Sequence, residues 1–194
     1  MKRPVASAIA IALLVVIGIT GRAFSQNGSS KAFKEAPRVD PAVKVTLPVK
    51  EGTVRFAVIG DTGSGSKEQR QVADLMMRYR NAFPFEFVLM MGDNLYGGES
   101  ASDYKKKFED VYKVLLDAKV KFYATLGNHD ESNQRFYEHF NMNGEEYYKF
   151  KKGKVSFFAL NSNYMDKKQL KWLEDELAKD KSEWKICFFH HPPY

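Results

Sequence analysis

The sequence predicts an α/β fold whose early strands run parallel. Short apolar runs alternate with stretches whose apolar residues recur at helical spacing. Each core run also ends in a polar cluster, and open α/β sheets gather ligands outside the carboxyl ends of their strands. The chain has 194 residues, 44% hydrophobic and 28% charged, which suits one packed domain with a sizeable core.

The first 25 residues read as a secretory signal peptide. Lys2 and Arg3 form a positive start, and residues 6–19 are apolar except for Ser7 and Gly18. Ala23 and Ser25 supply the small residues of a cleavage site, which places the cut after Ser25. The apolar run is short for a membrane span. The expectation is therefore a secreted or periplasmic protein with no stable membrane association after cleavage. Lys and Arg number 30 against 24 Asp and Glu. Without Lys2, Arg3 and Arg22 the balance is 27 against 24, an excess of +3, too small to argue for nucleic acid. Residues 26–52, with Asn27 to Ser30 and Pro37, Pro41 and Pro48, read as a linker, and residues 53–194 as the folded domain.

Within the domain, residues 53–60 (TVRFAVIG), 85–91 (FEFVLMM) and 120–126 (VKFYATL) predict buried strands. Val72, Leu75, Met76 and Tyr79 predict a helix over 67–82; Tyr104, Phe108, Val111, Tyr112 and Leu115 predict one over 102–118. Residues 147–150 and 155–160 flank a lysine-rich turn and predict a hairpin. A further amphipathic helix is predicted over 166–179 and a last strand over 183–189. Cys187 is the only cysteine, so no intramolecular disulfide is possible, and Ile186, Phe188 and Phe189 predict a buried site for it.

The polar clusters are Gly60-Asp61-Thr62-Gly63, Gly92-Asp93-Asn94-Leu95-Tyr96, Gly127-Asn128-His129-Asp130 and His190-His191-Pro192-Pro193-Tyr194. Each alone is an ordinary turn sequence. Four at one edge of a sheet point to a site. Asp61, Asp93 and Tyr96 offer hard oxygen donors that suit a trivalent or strongly Lewis-acidic ion. Asn128 and His190, with a carboxylate, suit divalent zinc, manganese or iron. A carboxylate such as Asp93 has two oxygens and can bridge two ions, and paired ions can clamp a phosphate and activate water.

In this order, GDTG, GDNLY, GNHD and HHPPY resemble successive blocks of the calcineurin-like metallophosphoesterases. The likeness runs over about residues 54–194. Most of that superfamily opens with Asp-x-His; here the position is Gly63, and a tyrosine follows the second aspartate as Asp-x-x-Tyr. That exchange resembles the purple acid phosphatase branch, in which a phenolate on ferric iron gives the colour.

The resemblance implies a sandwich of mixed β-sheets flanked by helices, two metal ions, and hydrolysis of a small phosphate monoester. Asp61 and Tyr96 would bind Fe(III) and Asp93 would bridge. Asn128 and His190 would bind Fe(II), Zn(II) or Mn(II). His190 is preferred to His191 because the pattern is His-x-Pro with the first histidine as ligand. His129 would bind a phosphate oxygen or protonate the leaving alkoxide, oriented by Asp130. A phosphodiesterase or nucleotidase on the same site, and a non-catalytic protein that binds metal or phosphate, are the competing readings.

The family ends its site with a Gly-His-x-His block. The four histidines here, His129, His139, His190 and His191, form no such block. The expectation is a C-terminally truncated chain whose last ligands lie beyond Tyr194. Elsewhere the bland reading leads. His139 is expected to pack or face solvent, and His191 to serve as a turn residue. Lys105 to Lys107 and the hairpin lysines are expected to be solvated, and Asn161 and Asn163, which follow a strand end, to face the site or, at least as readily, to form a turn.

Overall fold

The computed structural model describes residues 50–193. The expected signal peptide, nearly all of the expected linker, and Tyr194 lie outside the described residues.

Three parallel strands form the first sheet in the order β1 (Phe56–Ile59), β2 (Phe87–Met90), β3 (Lys121–Ala124). Helix α1 (Lys67–Ala82) connects β1 to β2, with Ser66 capping its first turn. A longer helical stretch connects β2 to β3. It runs through α2 (Ala101–Tyr104), a π-helical turn (Lys105–Glu109) and α3 (Asp110–Asp117), and opens with a capping box between Ser100 and Asp103. The second sheet has the order β4 (Tyr148–Lys152), β5 (Val155–Ala159), β6 (Trp184–Phe188). There β4 and β5 are the antiparallel hairpin, while β6 returns parallel to β5 after α4 (Lys167–Lys179).

The two sheets pack face to face through aromatic side chains. Phe157 of β5 lies 5.3 Å from Phe87 and 5.2 Å from Phe56, both edge-on, and Phe150 of β4 stacks on Tyr123 of β3 at 3.8 Å. Alternate residues face outward to the helices. Phe122 meets Phe108 and Tyr112 of the helical stretch, and Phe158 meets Trp172 of α4. The result is the expected sandwich flanked by helices. Strands β2 and β5, covered on both faces, are buried at every residue, as parallel and central strands require.

Two expectations about burial fail. Cys187 is exposed, because β6 alternates about its buried Phe188 and turns the cysteine outward. The three helix lysines are not equivalent: Lys105 and Lys106 are exposed, but Lys107 is half-buried. His139 behaves as expected, packing loosely against Tyr137 and Phe108 in a short 3-10 turn. Among the described residues, no helix is long and apolar enough to cross a membrane.

The carboxyl ends of β1, β2, β3, β5 and β6 open at one edge. Thr125 after β3 donates through its hydroxyl to Leu160 O after β5, at 2.6 Å, and Leu160 N donates to Phe188 O at the end of β6. These bonds bring loops from both sheets to one place.

Candidate metal centre

The loops after β1 and β2 are locked together by their backbones. Asp61 N donates to Gly92 O at 3.1 Å, and Tyr96 N donates to Gly63 O at 3.0 Å. Both aspartates sit in the left-handed region, Asp61 at φ 55° and Asp93 at φ 50°. That conformation is uncommon outside glycine and recurs at functional sites. Gly63 lies so close to the second loop that a Cβ there would come 2.2 Å from Asn94 O. No histidine fits at this position, so Asp61 has no Asp-x-His partner and the Tyr96 phenol enters instead. Gly127 is equally tight: a Cβ would fall 2.2 Å from Asp93 N and Asp93 Oδ1.

The side chains then converge. Tyr96 Oη donates to Asp93 Oδ2 at 2.9 Å and lies 3.3 Å from Asp61 Oδ1. On the other side, His190 Nε2 lies 3.4 Å from Asp93 Oδ1 and 3.1 Å from Asn128 Oδ1. Asp93 is buried at the centre, while Asp61, Asn128 and His129 are exposed at the mouth. Asp61, Asp93 and His190 present donor atoms all within 4.8 Å of one another, a triad able to hold one metal ion.

The histidine's tautomer makes that fit specific. His190 Nδ1 is 2.8 Å from Met91 O, which can only accept, so Nδ1 carries the proton. In the neutral ring Nε2 then presents a lone pair to two oxygens, Asp93 Oδ1 and Asn128 Oδ1. With the ring neutral and the Asn128 oxygen turned inward, three acceptors face one another, an arrangement that a cation stabilises. Burial, the Asp93 bond and the charges of Asp61 and Asp93 push the Tyr96 phenol well above its ordinary range. It is a neutral phenol unless a strong Lewis acid displaces its proton.

The model of the calcineurin-like phosphoesterase family matches residues 54–194. The chain belongs to that family.

Purple acid phosphatases are among the named relatives of this chain. It is 31% identical to purple acid phosphatase 17 of Arabidopsis thaliana over 133 residues, 66% of this chain and 36% of that one. It is 29% identical to a probable cyclic nucleotide phosphodiesterase of Fibrobacter succinogenes over 154 residues, 75% of this chain and 57% of that one. The chain thus spans less than two thirds of either relative. A solved structure of GAP50, described as the anchor in the inner membrane complex of Plasmodium, superposes with TM-score 0.58 at 22% identity. That superposition covers 73% of this chain and 56% of that one, and shows the fold alone.

The remaining predicted site residues divide. The His129 ring stands 5.2 Å from the Tyr96 ring, and its backbone N–H donates to Asp93 Oδ1 at 3.1 Å. Asp130 does not orient that imidazole. Its oxygens accept five other donors: Asn94 N, Leu95 N, Gly127 N, the Asn94 amide and the Gln134 amide, at 2.8–3.1 Å. The carboxylate clamps the second loop to the third. Burial pushes it up to about 6, against those donors, which hold it down.

His191 turns away from the donor cluster to Ser162 Oγ, 2.9 Å from its Nδ1. Asn163 donates to Gly127 O at 2.9 Å, tying the loop after β5 to the third loop. Asn94, Gln134 and Gln69 are buried residues that sequence reasoning left without a role. Their only sequence signal was a polar residue beside a glycine cluster or on a helix, which is the common case at a surface.

Proposed function

We propose that this protein hydrolyses phosphate monoesters at a dinuclear metal centre of the purple acid phosphatase kind. The observation that carries the reading is the arrangement about Asp93. One of its oxygens faces Tyr96, which also reaches Asp61, and the other faces His190, which also reaches Asn128. Asp61 and Tyr96 would hold the first ion, Fe(III), because carboxylate and phenolate are hard donors. Asn128 and His190 would hold the second, Fe(II), Zn(II) or Mn(II), with Asp93 shared between the two. Bound there, the ions supply Lewis acidity towards phosphate oxygens and an activated water.

His129 stands at the exposed mouth, next to Tyr96, and is placed to hold a phosphate oxygen or to protonate the leaving alkoxide. Met91 O holds the proton of His190 on Nδ1 and leaves Nε2 free as a donor atom. Export through residues 1–25 belongs to the same reading, and N-terminal sequencing of the secreted protein tests it.

A diester or cyclic nucleotide substrate is the second reading, favoured by the named Fibrobacter relative. The test supplies the full gene product with iron and zinc and follows an aryl phosphate monoester beside a bis-aryl diester. Faster monoester turnover that Asp93→Asn abolishes supports the first reading. Faster diester turnover supports the second, and no turnover of either substrate sinks both.

A further inference from the structure

The helical stretch after the Tyr96 loop contains one π-turn, closed by the Asp110 N–H on Lys105 O. Such a turn holds an extra residue, leaves carbonyls short of helical partners, and is frequent near functional sites. Side chains of helix α1 reach two carbonyls of this turn. Gln69 donates to Lys107 O at 2.8 Å and Arg70 to Lys106 O at 3.3 Å.

The same turn aims Lys107 at the loop that carries Tyr96. Its ammonium lies 2.8 Å from Tyr96 O, 3.2 Å from Gly98 O and 2.7 Å from Asp103 Oδ1. An ammonium has three N–H donors, and each has an acceptor here. The Lys107 side chain is 17% exposed, against 63% for Lys105, so this lysine is seated and its neighbour is solvated. Its stem also lies against the first loop, where a Cβ on Gly65 would come 3.0 Å from Lys107 Cγ.

The position matters because Gly97 and Gly98 follow Tyr96 directly, and two glycines in succession leave a loop free to wander. Lys107 spans both of them, from the carbonyl before Gly97 to the carbonyl of Gly98. Behind Tyr96, the backbone is pinned by its N–H on Gly63 O.

We propose that Lys107 is a positioning residue for Tyr96. The π-turn delivers its ammonium to the Tyr96–Gly98 carbonyls, and this fixes the phenol over Asp61 and Asp93. The proposal rests on the reading of Tyr96 as a metal ligand, and its test separates the two.

Lys107→Met keeps the stem and removes the ammonium. In the metal-free full chain, amide exchange over residues 96–100 should rise about tenfold, the worth of a hydrogen bond to a charged group. Exchange over residues 127–130 should stay at the wild-type rate. After ferric loading, the visible tyrosinate band should shift or weaken in Lys107→Met and be absent in Tyr96→Phe.

Wild-type exchange together with a wild-type band in Lys107→Met overturns the proposal. A band that survives in Tyr96→Phe overturns the ligand reading instead, and the exchange rates then decide the role of Lys107 by themselves. Lys107→Gln, which keeps two donors, should fall between wild type and Lys107→Met. It carries the same two readouts should the methionine variant fail to fold.

Discussion

Asp93 meets Tyr96 with one oxygen and His190 with the other, so its removal should reach further than that of any neighbour. Asp93→Asn replaces one acceptor oxygen with N–H donors and should lower metal affinity at least about a hundredfold, read by titration with zinc. Gly63 sets a different limit. An alanine there places a Cβ 2.3 Å from Leu95 Cα, and backbone cannot yield cheaply. Gly63→Ala should cost about 2–3 kcal/mol in chemical denaturation. It should also weaken metal binding, because the second loop must move. A stability within about 0.5 kcal/mol of wild type would mean that the two loops are not in contact.

At the scale of elements, the loops are held by polar side chains that were not visible as site residues. Asp130 joins the loops after β2 and β3 by five hydrogen bonds, and Lys107 and Gln69 join those after β1 and β2 to the helices. A similar tie closes the far end of α4. Asp180 accepts from Ser156 Oγ, Ser182 N and Lys149, and these donors hold its carboxyl well below the ordinary range, Ser156 foremost. With the folded value depressed, its contribution is present above the unfolded value of 3.8 and is lost as the pH falls through the folded one. Asp180→Asn should therefore unfold more readily than wild type in urea at about pH 7, with the gap closing below about pH 2. A gap of equal size at both pH values would count against the ionised carboxylate as the cause.

The helices were the most legible elements. The period of Val72, Leu75, Met76 and Tyr79 gave α1 its observed bounds, Lys67–Ala82. The predicted helix over 102–118 was right as a stretch but hid the π-turn. One inserted residue barely disturbs an apolar period, yet it redirects Lys107 from solvent to the site.

Over the whole molecule, stability depends on the aromatic seam between the sheets. Phe157 is fully buried there, within 5.3 Å of Phe56, Phe87 and Phe150. Phe157→Ala should cost about 3–5 kcal/mol, measured by the urea midpoint. A loss under about 1 kcal/mol would mean that the sheets do not depend on this contact.

By itself the sequence determined the order of strands and helices and the four polar clusters at strand ends. Apolar periodicity and glycine-bounded strand ends are local properties, readable a few residues at a time. The resemblance already preferred His190 to His191, but it took the tertiary structure to show that His191 turns to Ser162, that Asp130 braces loops, and that Cys187 faces outward. Each of those outcomes depends on which loop lies opposite a side chain. That is fixed by the packing of two sheets from distant parts of the chain.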